Sequence, residues 1–393
     1  MSLFRIRGGL IAAGIFAAAA IVYSAGTEGV QVPHVSLLRA PGGGIQPQTI
    51  VDSRGVLHMI YFTGEADAGD IEYVHRAPGA QAFSKPIRVN SQPKSALAVG
   101  TVRGPQMAVG RNGRVYVVWF GSSGATPRGP DGSTPLLFSR LNASGTAFEP
   151  QRNLVTYARG LDGGLSVAAD RDGDVYVVWH ATGEVPGESH RRVYLARSMN
   201  DGRTFKPEVP VSPAELGACG CCGMRAFVDS RGQVYVLYRA AAENIHRNMT
   251  LLVSTDRGQT FHPEEVSAWE LNACPMSTDY LSEGAGSVLA AWEKAGEVYF
   301  DKINPQTFQL FPSIAAPGQG SDRKHPAVAA NLRGQMLLAW TEGTGWNKGG
   351  SLAWQIFDPV GKPIGAEGHA LGVPAWDMPS VYAGTDGNFT IVY

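Results

Sequence analysis

The sequence predicts an all-β protein built from seven similar four-stranded units, and three observations carry that expectation. Glycine and proline supply 74 of the 393 residues, 49 and 25 respectively. That is about 19%, where an average domain has roughly 12%, and these residues bound many short apolar runs. A glycine followed six places later by an aromatic residue recurs seven times: Gly55 and Tyr61, Gly113 and Trp119, Gly173 and Trp179, Gly232 and Tyr238, Gly286 and Trp292, Gly334 and Trp340, Gly387 and Tyr393. Aromatics are only 9% of the chain, so chance does not explain seven in phase. Finally, no heptads and no helix of substance are visible.

Composition excludes several classes. The net charge is −1, from 33 basic and 34 acidic residues, which leaves no electrostatic footprint for a polyanion and argues against a nucleic-acid partner. Hydrophobic residues make up 44%, too many for a disordered chain.

In chain order, Arg5 and Arg7 precede an uncharged stretch over residues 9–23. Fifteen residues suit a signal-peptide core better than a membrane span of about 20. Residues 1–26 are read as a signal peptide cleaved near Ser24, with an uncleaved N-terminal anchor as the alternative. Either places the body outside the cytoplasm, periplasmic or secreted, with the membrane touched only through this segment. Residues 27–393 form one domain. Residues 31–40 read as an outer strand.

The hairpins follow. Asp52-Ser53-Arg54-Gly55 and the segments 170–173 and 229–232 are turns in which glycine supplies a positive φ. A short strand precedes each turn. A strand such as 115–119 follows, apolar on both faces and so buried on both. Third strands are expected at 71–75, 136–139, 193–197, 250–254, 298–301 and 352–357, and outer strands at 87–89, 209–211 and 265–266. Sheets covered on both faces by like sheets, spaced 48 to 60 residues apart, describe the blades of a β-propeller. Seven blades are favoured, with six the alternative. The N-terminal strand closes the last blade and removes its exposed edge.

Two turns sharpen this. Ser198-Met199-Asn200-Asp201-Gly202-Arg203-Thr204-Phe205 and Ser254-Thr255-Asp256-Arg257-Gly258-Gln259-Thr260-Phe261 resemble the Asp box, S-x-D-x-G-x-T-[WF], of sialidase-like (BNR-repeat) propellers. The second is a full match; the first has Asn200 in place of Asp. Repeats 1, 2 and 5 keep only a terminal Phe83, Phe148 or Phe308. The resemblance covers most of residues 45–393. The box is structural and says little of activity.

The resemblance implies an arginine triad for a substrate carboxylate, a Tyr/Glu nucleophile pair and an Asp acid/base. The Arg-Ile-Pro motif of the first arginine is missing from the mature chain, and Arg5-Ile6-Arg7 in the leader does not supply it. Arg103, Arg225 and Arg323 open the inner strands of repeats 2, 4 and 6 and could clamp a carboxylate at the axis; the alternative is that they solvate a channel rim. Asp279, Tyr280, Glu283 and Glu293 could supply acid and nucleophile, but their spacing matches no family motif.

The turns before the inner strands and the long loops 63–70, 121–135, 181–191, 240–248 and 342–350 belong on one face. Function on such folds tends to sit in loops near the axis. The polar residues there include His180, Glu184, Glu188, His190, Glu243, His246 and Trp346. All four cysteines also fall on this face, Cys219, Cys221 and Cys222 before the inner strand of repeat 4 and Cys274 before that of repeat 5. Neighbouring repeats bring them together. An even count in an oxidising compartment fits disulfides, with Cys274 stapling two blades; a bond within the trio would be strained. The sharper reading is a soft-metal site, in which the thiolates, the thioethers of Met224 and Met276, and His325 suit copper(I). Zinc fits less well, because Cys-x-Cys-Cys lacks the usual Cys-x2–4-Cys reach. No cofactor follows with certainty.

Three functions are therefore expected in order: a ligand- or metal-binding extracytoplasmic propeller whose Cys/Met/Arg rim takes a small molecule, glycan or protein; a sialidase-type glycoside hydrolase acting on an acidic glycan; and a protein-binding scaffold.

Overall fold

A computed structural model describes Met1, residues 32–318 and residues 322–393. The expected leader lies outside the described residues. No helix among the described residues is long and apolar enough to cross a membrane.

The body, Pro33–Tyr393, is a seven-bladed β-propeller. Six blades are four-stranded sheets, each an antiparallel meander running outward from the axis. Blade 1 starts with the inner strand Ile45–Val51, blade 2 with Gln106–Val109, blade 3 with Leu165–Ala169, blade 4 with Met224–Val228, blade 5 with Tyr280–Gly284, blade 6 with Arg323–Ala330 and blade 7 with Ser380–Ala383.

The repeated glycine–aromatic pair accounts for the hairpins. All seven glycines take positive φ, from 71° at Gly113 to 91° at Gly173, and all seven aromatics are at most 7% exposed. The hairpins share a second device. Asp52, Asp170, Asp229 and Asn331 each accept, on one side-chain oxygen, the backbone N–H groups two and four residues on. At Gly232 the φ is 82° and an added Cβ would meet no atom within 4 Å. Gly232→Ala is therefore expected to cost about 1–2 kcal/mol from left-handed backbone alone, measured as a shifted urea midpoint with unchanged slope.

The two Asp boxes have one wiring. Ser254 Oγ donates to Asp256 Oδ1 at 2.8 Å and accepts the Gly258 N–H at 2.9 Å, while Thr260 donates its N–H and Oγ1 to the same carboxylate. Burial works against the charge, but the Thr260 and Ser254 hydrogen bonds hold the Asp256 carboxyl well below its ordinary value. Asn200 reproduces the pattern with an amide, accepting the Thr204 N–H at 3.0 Å and donating to Thr204 Oγ1 at 2.8 Å. Blade 2 keeps more of a box than its terminal Phe148, because Asn142 Oδ1 accepts the Thr146 N–H at 3.0 Å.

Blade 7 corrects one expectation. Among the described residues it has three strands, and the N-terminal Val35–Leu38 is third rather than fourth, running parallel to Phe389–Val392. Direction explains this. The chain must leave Val35–Leu38 at the loop face, where blade 1's inner strand begins. Second strands also end at that face, so a strand laid beside one and delivering the chain there must be parallel to it.

Candidate functional site

The seven inner strands line an axial cavity of about 370 Å³. A second, smaller cavity of about 20 Å³ lies between Gln106, Met224, Arg225, Asp279 and Tyr280. Arg225 lines both cavities: its Nη1 donates to Gln106 Oε1 at 2.7 Å, and its guanidinium sits 4.7 Å over the Tyr280 ring.

The other two candidate arginines are engaged elsewhere. Arg103 pairs with Asp162 at 2.5 Å. Arg323, 2% exposed, is held by Glu297 and Glu342, both at 3.1 Å, and by Glu367 at 3.8 Å. Each positive charge already has a carboxylate partner, so the structure brings together no triad on one substrate carboxylate.

The cysteines do converge. Cys219–Cys222 occupies the connection into blade 4, and the Cys219 N–H donates to the Arg239 carbonyl at 2.9 Å. A turn closes the segment, the Cys222 N–H donating to the Cys219 carbonyl at 3.2 Å. The Sγ of Cys219 lies 3.5 Å from that of Cys221 and 3.0 Å from that of Cys222. Cys219 and Cys222 are thus the ends of a Cys-x-x-Cys turn, which corrects the expectation that this segment lacks that reach. No disulfide joins the four cysteines in this structure. Cys274 comes from the connection into blade 5, and that connection is tied on by the Gly223 N–H donating to the Ser277 carbonyl at 2.9 Å. The Sγ atoms of Cys221 and Cys274 and a carboxylate oxygen of Glu188 all lie within 4.8 Å of one another.

The remaining candidates divide. Met224, 3% exposed, packs in the apolar cluster between blades 3 and 4. Met276 and His325 line a small cleft beside Cys274, with Lys324, Trp346 and Trp376.

Charges buried beneath the sulfurs complete the site. Arg239 and Glu293, each 2% exposed, face each other at 3.9 Å. Glu188 accepts the Gly220 N–H at 2.9 Å and the Arg247 Nη2 donor at 2.7 Å. Arg239 Nε, Arg247 Nη1, Asp279 Oδ1, Glu293 Oε2 and His180 Nδ1 are buried without a hydrogen-bond partner in the protein. Burial raises the Asp279 carboxyl well above its usual range. It lowers His180 to about 4, helped by Arg191, and His325 to about 3, helped by Lys324, so both imidazoles are neutral and ligand-competent at pH 7. Burial opposes a Cys222 thiolate as well. Hydrogen bonds from the Cys219 and Cys221 thiols and the Arg239 charge nevertheless hold Cys222 well below the ordinary thiol value. The hydrogen bonds to Cys221 and Cys222, with burial, push the Cys219 thiol up.

Arg239 and Arg247 were not legible as site residues. Their only signal is position, at the end of blade 4's second strand and in the loop after it.

No family model and no curated protein matches this chain. Solved structures do match in fold. A protein of unknown function from Dyadobacter fermentans DSM 18053 superposes with TM-score 0.53 at 13% identity, over 87% of this chain and 98% of that one. The Hadza microbial sialidase Hz136 superposes with TM-score 0.51 at 12% identity, over 81% of this chain and 69% of that one. The likeness is one of fold: a β-propeller that a sialidase also adopts.

Proposed function

We propose that this protein is an exported sialidase-like propeller that binds a soft metal ion, copper(I), on its loop face. The observation that carries the reading is the convergence of Cys219, Cys221 and Cys222, whose sulfurs lie within 4.8 Å of one another. An all-sulfur donor set selects soft ions. Burial of Cys219 and Cys222 at 1% exposure shields such an ion from solvent oxidants.

Metal analysis with thiol counting tests this. Protein reduced and titrated with copper(I) without oxygen is expected to hold one equivalent. Cys222→Ser is expected to weaken binding at least 100-fold against a chromogenic chelator. Four oxidised sulfurs and no metal would sink the proposal, and zinc held in preference to copper(I) would change the ion assigned.

A glycan ligand at the axial mouth is a second reading. It is favoured by the fold shared with Hz136 and by Arg225 poised over Tyr280. Cleavage of a fluorogenic sialoside, abolished in Arg225→Ala, would carry it.

A further inference from the structure

Two three-ligand groups lie side by side at the cysteine site, and they share one residue. The first is Cys219, Cys221 and Cys222; the second is Glu188, Cys221 and Cys274. Exposure is graded across them. Cys274 is exposed, Cys221 is half-buried, and Cys219 and Cys222 are buried.

We propose that the second group is an entry site, through which a soft metal ion passes to the buried sulfurs by ligand exchange on Cys221. This inference rests on the metal-binding reading above and gives it a route.

The donor chemistry sets the direction. A carboxylate is a hard ligand, so two sulfurs and an oxygen hold a soft ion less tightly than three sulfurs do. The ion stays bonded to Cys221 Sγ throughout. Its bonds to Cys274 Sγ and the Glu188 oxygen break as bonds to Cys219 Sγ and Cys222 Sγ form. Copper remains in the +1 state and no electron moves. Protons displaced from the incoming thiols leave by way of the freed Glu188 carboxylate to solvent at the Cys274 edge, and Cys274 is reprotonated there.

Glu188 is positioned for this by the rest of the site. One carboxylate oxygen takes the Gly220 N–H from inside the cysteine turn, and the other takes Arg247 Nη2 at 2.7 Å. Arg247 is 3% exposed, and its other terminal nitrogen, Nη1, has no protein partner. The carboxylate is therefore held at the boundary between the two groups by a buried cation. A surface glutamate would not need one.

The test is the kinetics of copper(I) transfer between the full-length protein and a chromogenic copper(I) chelator, followed anaerobically in both directions. Cys274→Ala is expected to slow loading and release together, at least tenfold each, so that their ratio moves less than threefold. A residue on the path changes both rates equally, whereas a resting ligand changes the ratio. As a second measurement, alkylating Cys274 with iodoacetamide on the copper-loaded protein should leave the ion in place and slow its release to the chelator by a similar factor. Wild-type rates in Cys274→Ala would overturn the proposal, as would a tenfold loss of affinity carried by release alone. In either case the buried site would stand. Failure of the wild type to take up copper(I) would overturn both readings.

Discussion

Trp179→Ala is expected to destabilise the propeller by about 3–5 kcal/mol, the range for emptying a fully buried indole site. Trp179 is 0% exposed and packs with Phe120, Leu136 and Phe138 in the core between blades 2 and 3. It also stacks on Tyr194, with centroids 6.4 Å apart and planes 21° from parallel. Closely packed sheets on both sides leave little room for collapse into the cavity, so the upper part of the range is expected. Guanidinium unfolding followed by circular dichroism should show a lower midpoint with the slope retained. Trp346 makes the contrast: it is 58% exposed, and Trp346→Ala should change stability by under about 1 kcal/mol. Equal losses at the two positions would refute the packing argument.

The second large effect is one of pH. Asp377 joins blades 7 and 1 and is 1% exposed. Its Oδ1 accepts the Gln46 N–H at 2.6 Å and the Met378 N–H at 2.8 Å, and Oδ2 has no protein partner. Burial outweighs those two bonds and pushes the carboxyl up to about 7, from 3.8. Between these values the folded chain keeps a proton that the unfolded chain has released. Its contribution to stability is therefore complete below pH 3.8 and is lost as pH rises toward 7, by up to about 1.4 kcal/mol per pH unit. Asp377→Asn keeps an oxygen for the two N–H donors and has no proton to lose. It is expected to flatten this part of the pH dependence and to be more stable than the wild type at pH 8, by roughly 2–4 kcal/mol. Asp301, also pushed up to about 7 by burial, titrates in both proteins, so the difference between them isolates Asp377. Urea midpoints at pH 5 and pH 8 decide the matter, and parallel wild-type and variant curves would refute it.

What could be read in the sequence follows from what leaves a residue-type signature. A positive φ asks for glycine, and a position buried between two sheets takes a large aromatic; together they marked all seven hairpins. The meeting of Cys274 with the Cys219–Cys222 turn was legible because both segments precede inner strands of adjacent blades. Side-chain direction was not. Met224 and Arg225 are adjacent on one strand and must point to opposite sides, and nothing in the sequence said that Arg225 takes the axis and Met224 the core. Charge partners were equally silent. Asp162, Glu297, Glu342 and Glu367 neutralise Arg103 and Arg323 from separate blades or separate strands, and ion pairs set no periodicity. The parallel placement of Val35–Leu38 also lay outside pattern, because four residues carry no code for their neighbour's direction.

That strand governs when the protein can be completed. The His34 N–H donates to the Asn388 side chain across 354 residues of sequence, and Val35 is in register with Phe389. Contacts this distant in sequence make for slow folding. Six blades can assemble as they leave the ribosome, while the seventh must wait for residues from both ends of the domain. Until the C-terminal pair is made, Val35–Leu38 has no partner strand, and that is the interval in which a nascent chain is most exposed to pairing with a neighbour.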